Sequence, residues 1–137
     1  MELKFRVWHK KYKGYYELDA INFYDKYVSY ILNDYVNQEQ SLEYFDFDEV
    51  IIEQYTGMKD KNGIEIYVGD IVKYTHDWEV YAVENEIAVV EFEEGGFSPM
   101  QLANGGTYYA LEGKPIYEVI GNIHDREERL NVWFRKV

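Results

Sequence analysis

Apolar and polar residues alternate over short runs along most of the chain, and the run from Gln54 to Tyr74 shows this most clearly. Ile64 and Ile66 are spaced by two, as in a strand with one buried face. Asn62-Gly63, just before them, can supply the two positive-φ residues that a two-residue type I′ turn requires. Gly69-Asp70 then interrupts the run before the next apolar stretch. The pattern therefore predicts a tight hairpin at Asn62-Gly63 and a bend or bulge at Gly69-Asp70.

The N-terminal half contains shorter runs of the same kind. Leu3, Phe5 and Val7 alternate with polar or amphipathic neighbours, which predicts a half-buried strand. Lys13-Gly14 is a turn signal, and the β-branched and aromatic content behind it favours strands over a short helix. The predicted elements are a strand over 3–8, a second strand region over 15–24 antiparallel to it, a third strand over 27–32, an exposed and disorder-prone polar loop over 33–41, and one strand over 45–55.

Turns and strands continue to alternate in the C-terminal half. The segments 78–83 and 87–92 are predicted to form a hairpin, with Glu84-Asn85-Glu86 as its turn. Further strands are predicted over 107–111 and over 116–123, the second ending at His124. Asp125 with Glu128 resembles a capping box, so a short helix over 126–132 is expected. The tail Val132-Trp133-Phe134 is apolar enough to dock on the β body or on a second subunit.

These elements predict a mainly β or α+β protein with antiparallel strands. The 137 residues can bury a core without disulfides, and the chain contains no cysteine. No run of about 18 apolar residues occurs, so no membrane-spanning segment or membrane partner is predicted. We therefore expect a soluble, cytoplasmic protein with a single domain over 1–137, divided into an N-terminal β region over 1–55 and a barrel-like β region over 56–137.

The net charge of −12 limits the classes of partner. Lys and Arg drive binding to a phosphate backbone by releasing counterions, so an acidic chain is a poor duplex binder. A basic patch near the start comprises Lys4, Arg6, Lys10, Lys11 and Lys13, and lysines that guard an edge strand explain it more simply. Direct binding of nucleic acid through this patch, or mimicry of DNA by the acidic surface, is the alternative function.

Aromatic residues are abundant, with 15 Tyr, 7 Phe and 3 Trp. Tyr and Trp bury a large area while keeping one polar group, so they suit strand faces and protein interfaces equally well. Base stacking would also use such rings, but the acidic charge favours core and interface roles. The predicted interaction residues lie near the two ends of the chain: Lys4, Arg6, Trp8, Trp133 and Phe134.

Acidic residues and histidines give one candidate metal site. The possible ligands are His76, Asp77, His124 and Asp125, with Asp60 and Asp70 as accessory carboxylates. Neighbouring residues in a strand point to opposite faces, and neither His-Asp pair has a helical partner four residues away. Turn and helix-cap roles are therefore favoured, and no cofactor is predicted.

Three segments together carry a resemblance: Lys4-Phe5-Arg6-Val7-Trp8, the run from Gln54 to Tyr74, and the run from Tyr117 to His124. They resemble the YopX-like family of phage and prophage proteins, whose central pattern is QYTGLKDKNGKEIYEGDIV. The chain departs from the family pattern at His9 and at Asp125-Arg126-Glu127. The resemblance implies a small, mostly β protein of Gram-positive phages or prophages with no settled molecular activity.

Gly69-Asp70-Ile71-Val72 also resembles the first strand of SH3-like small barrels, and several short strands follow it. We therefore expect an SH3-like barrel in the C-terminal part. The residues expected to have a structural role in the hairpin turn and the following bend are Asn62, Gly63, Gly69 and Asp70. The expected function is a non-enzymatic accessory protein that binds an unknown phage or host protein or forms a homo-oligomer. A metal-dependent hydrolase is the third hypothesis.

Overall fold

The computed structural model describes residues 2–77, 82–93, 95–98 and 116–125. These residues divide into two compact units, a first unit comprising Leu3–Gln54 and a second unit comprising Glu2 and the described residues from Tyr55 onwards. The described elements are β1 (Phe5–His9), β2 (Gly14–Tyr16), β3 (Leu18–Asn22), β4 (Tyr27–Asp34), β5 (Glu39–Asp46), a 3-10 turn (Phe47–Glu49), β6 (Val50–Lys59), β7 (Glu65–Tyr67), β8 (Asp70–Asp77), β9 (Ala82–Val89), β10 (Glu91–Glu93), β11 (Gly96–Ser98) and β12 (Ile116–Asn122). The prediction of a mainly β protein with antiparallel strands is confirmed.

The first unit contains two sets of antiparallel strands. β1 pairs with β2 on one side and with the first half of β6 on the other, and β3, β4 and β5 form a separate sheet in that order. A core cluster joins the two sets through Val7, Val28, Tyr30, Phe45 and Val50. Val7 and Val28 are fully buried, and each such side chain contributes about 1.5–3 kcal/mol by leaving water.

His9 fixes the turn between β1 and β2. Its Nδ1 accepts the backbone N–H groups of Lys11 at 3.2 Å and Tyr12 at 3.0 Å. The neutral imidazole therefore carries its proton on Nε2. The His9 ring is buried against Phe45, with the two ring centres 4.4 Å apart.

The second unit contains a sheet with the strand order β12-β8-β9 and a hairpin of β10 and β11. Its core cluster comprises Ile66, Val72, Val90 and Tyr117. The second half of β6 pairs with β7 through Tyr55 opposite Tyr67 and Lys59 opposite Glu65. Within the described ranges, no helix is long and apolar enough to cross a membrane.

The predicted hairpin in the central run is confirmed, but its turn differs from the prediction. The Asp60 N–H donates to the Ile64 carbonyl oxygen at 2.7 Å, and the Gly63 N–H donates to the Asp60 carbonyl oxygen at 3.0 Å. Lys61, Asn62 and Gly63 therefore form a three-residue loop in which only Gly63 has a positive φ, of 82°. The two-residue type I′ turn is wrong, because Asp60 closes the loop one residue earlier. The break at Gly69-Asp70 is confirmed, with a φ of 94° at Gly69 and β8 beginning at Asp70.

Replacing Gly63 by alanine is expected to lower the free energy of unfolding by about 1–2 kcal/mol, since a side chain is disfavoured at positive φ. A Cβ atom at Gly63 would meet no atom within 4 Å, so the cost is conformational rather than a clash. Gly14→Ala is the matched control, because its Cβ also meets nothing within 4 Å and its φ is not positive. Urea denaturation of both variants tests this, and equal effects would contradict it.

Two predictions for residues 33–55 are wrong. The polar segment 33–41 is not one loop, because Asn33 and Asp34 end β4, residues 39–41 begin β5, and only the turn over 35–38 connects the two strands. The single strand predicted over 45–55 is interrupted by the 3-10 turn, where the Glu49 carboxylate accepts the Asp46 N–H at 2.8 Å. This local hydrogen bond competes with strand continuation.

Two further boundaries differ from the prediction. The region 15–24 is divided into β2 and β3, and only β2 pairs with β1. Glu84-Asn85-Glu86 is not a turn but part of β9, which pairs with β8 from Val89 to Ala82 with a register shift between Tyr74 and His76. No Gly or Pro forces a turn in this polar run, so the chain passes through it as a strand with an irregular register rather than reversing direction.

The strand predicted over 116–123 is confirmed as β12. The strand predicted over 107–111, the helix over 126–132 and the tail residues Trp133 and Phe134 lie outside the described residues. The SH3-like barrel stays a prediction, because part of the segment that would close it lies outside these ranges as well.

Candidate interaction surface

The sheet of β3, β4 and β5 faces the core on one side and solvent on the other. Alternation along each strand places Val28, Tyr30 and Phe45 on the core side. The solvent side carries apolar side chains at the intervening positions of β4 and β5: Tyr27, Ile31, Leu42 and Tyr44. The rings of Tyr27 and Tyr44 contact each other edge to face with centres 5.5 Å apart. Leu42 is 49% exposed and Tyr44 is 61% exposed, so this apolar stripe is open to a partner.

The β4–β5 hairpin extends beyond β3. β3 pairs with β4 only from Tyr27 to Tyr30, whereas β5 continues along β4 to Asp34. The Ile31 N–H still donates to the Glu17 carbonyl oxygen, so among the described strands residues 32–34 pair with β5 alone. A two-stranded ribbon has little core of its own. Leu32 lies on the same face of β4 as the buried Tyr30, but its side chain is 46% exposed.

The tip of the hairpin is an ordered turn that presents apolar side chains. The Asp34 carboxylate accepts the backbone N–H groups of Val36 and Asn37 and the side-chain amide of Asn37, at 2.8–3.1 Å. The Asn37 amide and then these backbone donors hold the pKa of Asp34 below its ordinary value. Gln38 completes the turn with a φ of 56°. Tyr35 and Val36 are 85% and 92% exposed on this fixed backbone.

The surface around these apolar groups is acidic. Residues 18–49 carry eight carboxylates and a single basic residue, Lys26. Glu39, Glu43 and Asp46 lie on β5 itself, and all three are exposed. A positively charged partner is therefore favoured, and a phosphate backbone is repelled.

The N-terminal interaction residues lie on another face of the first unit. Arg6 Nε donates to Glu53 Oε1 at 2.8 Å, and the Tyr15 hydroxyl donates to the same oxygen at 2.8 Å. The Arg6 guanidinium also lies 4.4 Å from the centre of the Tyr15 ring, and the Trp8 ring contacts Tyr15 edge to face. Since Glu53 is buried, Arg6 is engaged within the fold.

The lysines of the basic patch do not all lie beside Arg6 on β1. Lys10, Lys11 and Lys13 lie in the exposed β1–β2 turn, and Lys10 Nζ donates to the Asp48 carbonyl oxygen at 2.9 Å. Lys4 precedes β1 and is half-buried. The structure therefore divides the sequence patch between a strand face and a turn.

Asp60, in the run from Gln54 to Tyr74, has a structural role. Asp60 Oδ1 accepts the N–H groups of Asn62 and Ile64, and Asp60 Oδ2 accepts the Val119 N–H of β12 at 3.0 Å. Burial raises the pKa of Asp60, but these three donors and the charge of Lys61 outweigh it, so the pKa lies below its ordinary value. Asp60 thus joins the hairpin loop to β12, a role that the sequence analysis missed.

Gly69-Asp70 forms a second junction. The Gly69 N–H donates to the Val90 carbonyl oxygen at 2.9 Å, and the Val90 N–H donates to the Asp70 carbonyl oxygen at 2.8 Å. The buried Asp70 carboxylate accepts the Tyr67 N–H at 2.8 Å. These bonds connect the end of β7 to the sheet of β8 and β9.

The candidate metal ligands are not brought into a cluster where the structure describes them. Asp60 and Asp70 accept backbone hydrogen bonds, and the Asp125 carboxylate accepts the Asn122 N–H at 3.2 Å. The side chains of His76 and Asp77 lie outside the description. Among the described residues, no group of three or more His, Asp or Glu side chains could hold a metal ion.

Comparison with known proteins places this fold in a family. No curated protein matches the chain. The crystal structure of protein EF1440 from Enterococcus faecalis is similar, with a TM-score of 0.58 and 25% sequence identity over 95% of this chain and 99% of that chain. The family model described as YopX protein matches residues 4–131. The chain therefore belongs to the YopX family.

Proposed function

We propose that this chain is a non-enzymatic phage or prophage accessory protein that binds other polypeptides in the cytoplasm of its bacterial host. The β4–β5 hairpin and the apolar stripe beside it form the binding surface. The observation that carries this proposal is the tip of the hairpin, where Tyr35 and Val36 are 85% and 92% exposed on a turn fixed by Asp34.

The energetics of the tip favour an interface. Covering an exposed Val or aromatic side chain contributes about 1.5–3 kcal/mol. The Asp34 hydrogen bonds hold the turn before a partner arrives, so little backbone entropy is lost on binding.

The proposal includes self-association, because a second copy could cover the same tip and stripe. A homo-oligomer and a complex with a different phage or host protein both bury this surface. Light scattering of the purified chain separates the two, since only self-association changes its mass without another protein.

The test changes Tyr35 and Val36 together to serine in the full chain. Wild type and variant are used as bait in prophage-bearing cells, with captured proteins read by mass spectrometry, and each is studied alone by light scattering. We expect the variant to lose the captured protein or the self-association by about tenfold or more. Its thermal unfolding should be unchanged, because both side chains are exposed in the free protein.

The matched control changes Phe23 and Tyr24 to serine in the β3–β4 turn. These residues are 69% and 92% exposed, so the control removes a similar apolar area from the opposite end of the same sheet. Equal losses in both variants, or a strict monomer that captures no protein above a tag-only bait, would contradict the proposal.

A further inference from the structure

We propose that the outer edge of β5 binds an extended strand of another protein in which apolar and basic residues alternate. This inference rests on the proposed function and names the partner's chemistry. β5 is the last strand of its sheet, and no described strand pairs with its other edge. An open edge of this kind accepts a further strand through main-chain hydrogen bonds.

The ladder itself identifies the free backbone groups. The Phe47 N–H donates to the Lys26 carbonyl oxygen at 3.0 Å, so these two residues form a hydrogen-bonded pair. Such pairs alternate along an antiparallel ladder, and the register from Asp46 to Glu39 has no shift. Phe45, Glu43, Ser41 and Glu39 therefore bond to β4, whereas the residues between them direct N–H and C=O to the outer edge: Gln40, Leu42 and Tyr44.

An independent contact supports this assignment. The Ile31 N–H donates to the Glu17 carbonyl oxygen at 2.9 Å on the β3 side. Ile31 lies opposite Leu42, so this pair is not hydrogen-bonded within the β4–β5 ladder. Leu42 therefore has its N–H and C=O on the outer edge, in agreement with the Phe47 contact.

The edge has few of the features that prevent strand addition. Residues 39–46 contain no Pro, Lys or Arg, and the pairing of β4 with β5 contains no bulge. Residues 39–44 are all exposed. At the far end, Glu49 accepts the Asp46 N–H, which leaves Gln40 to Tyr44 as the open length. The edge therefore accommodates a strand of about five residues.

The side chains on the two faces of β5 specify the alternating pattern. Leu42 and Tyr44 lie on the solvent face, so an added strand would place apolar residues beside them. Glu39 and Glu43 lie on the other face, where lysine or arginine of the added strand would pair with them. The net charge of −12 opposes a second copy in this position, so a different, basic protein is the expected occupant.

The binding test uses the full chain and a short, end-blocked fluorescent peptide in which valine and lysine alternate. Fluorescence anisotropy should show saturable binding that a peptide with the same composition but grouped lysines lacks. Two further peptides carry N-methyl groups at every valine or at every lysine. One of these two should lose binding, because one set of amides must bond to β5.

Matched protein variants test the charge. Glu43→Lys should weaken binding of the alternating peptide about tenfold. Glu17→Lys makes the same charge change beyond the β3 side of the sheet, and it should weaken binding of this peptide less than about twofold. Unchanged thermal unfolding of both variants confirms that they fold.

Three results would overturn the inference: no saturable binding, equal binding of both N-methylated peptides, or equal weakening by the two variants. If the Tyr35/Val36 variant loses capture or self-association as expected but the alternating peptide does not bind, only the inference that β5 binds a strand is overturned. If the peptide binds but the Tyr35/Val36 variant changes nothing in cells, only the tip proposal fails.

Discussion

Replacing Asp60 by alanine is expected to lower the free energy of unfolding by about 3–5 kcal/mol, measured by urea denaturation at neutral pH. Asp60 is only 7% exposed, and its carboxylate accepts three backbone N–H groups from Asn62, Ile64 and Val119. Removing the acceptor takes this partner from all three donors, and the N–H of the half-buried Val119 has the least access to water in its place. The link between the hairpin loop and β12 is lost with them.

Asp34→Ala is the matched control for this prediction. Asp34 also accepts two backbone N–H groups and a side-chain amide in a turn. Its surroundings are exposed, so water can replace the carboxylate and the loss should be much smaller. Equal losses in the free energy of unfolding for the two variants would show that the stabilising effect of Asp60 does not come from its burial or its bond to Val119.

The pH dependence of Asp60→Asn gives a second test of the same group. The folded-state pKa of Asp60 lies below the ordinary value of 3.8, so its ionised form stabilises the fold. This contribution is fully present above that value and is lost as the pH falls through the lower folded-state pKa. The stability difference between wild type and Asp60→Asn should therefore shrink below a pH of about 4. A constant difference from neutral to acidic pH would contradict this prediction.

The sequence predicted those strands that bury one face, because burial produces the alternation that can be read. Val7 in β1 and Ile66 in β7 are fully buried, and both lie in runs whose pattern predicted strands. The same reasoning failed for residues 33–41, since neither face of the hairpin tip is buried there. Backbone pairing of Asn33 with Gln40 and of Asp34 with Glu39, rather than apolar alternation, holds the strand residues on both sides of the turn extended.

The candidate surface was missed for the same reason. The polar neighbours of Tyr35 and Val36 predict a polar loop. The spacing of Asp34 and Asn37 is a turn signal that could have located the tip. The sequence indicates Asp60 only as an accessory metal ligand, because its bond to Val119 joins residues 59 positions apart and no local pattern predicts it.

Phe45→Ala is expected to lower the free energy of unfolding by about 3–5 kcal/mol, the usual cost of removing a buried aromatic ring. Phe45 is 7% exposed and stacks on Tyr30 with ring centres 4.2 Å apart. Its ring centre lies 4.4 Å from the ring centre of His9. The neighbouring Tyr44 points to the other face and is 61% exposed. Tyr44→Ala should therefore cost only about 0.5–1 kcal/mol, mainly from its contact with Tyr27.

Urea denaturation of the two single variants compares the two faces of one strand, because the residues are adjacent in sequence. A slip of one residue in the pairing of β5 would exchange its faces. The stability costs would then be reversed, with Tyr44→Ala the more damaging change. The outer-edge groups of Gln40, Leu42 and Tyr44 depend on the same register. A reversed result would therefore remove the basis for strand addition at this edge as well as the assignment of Phe45 to the core.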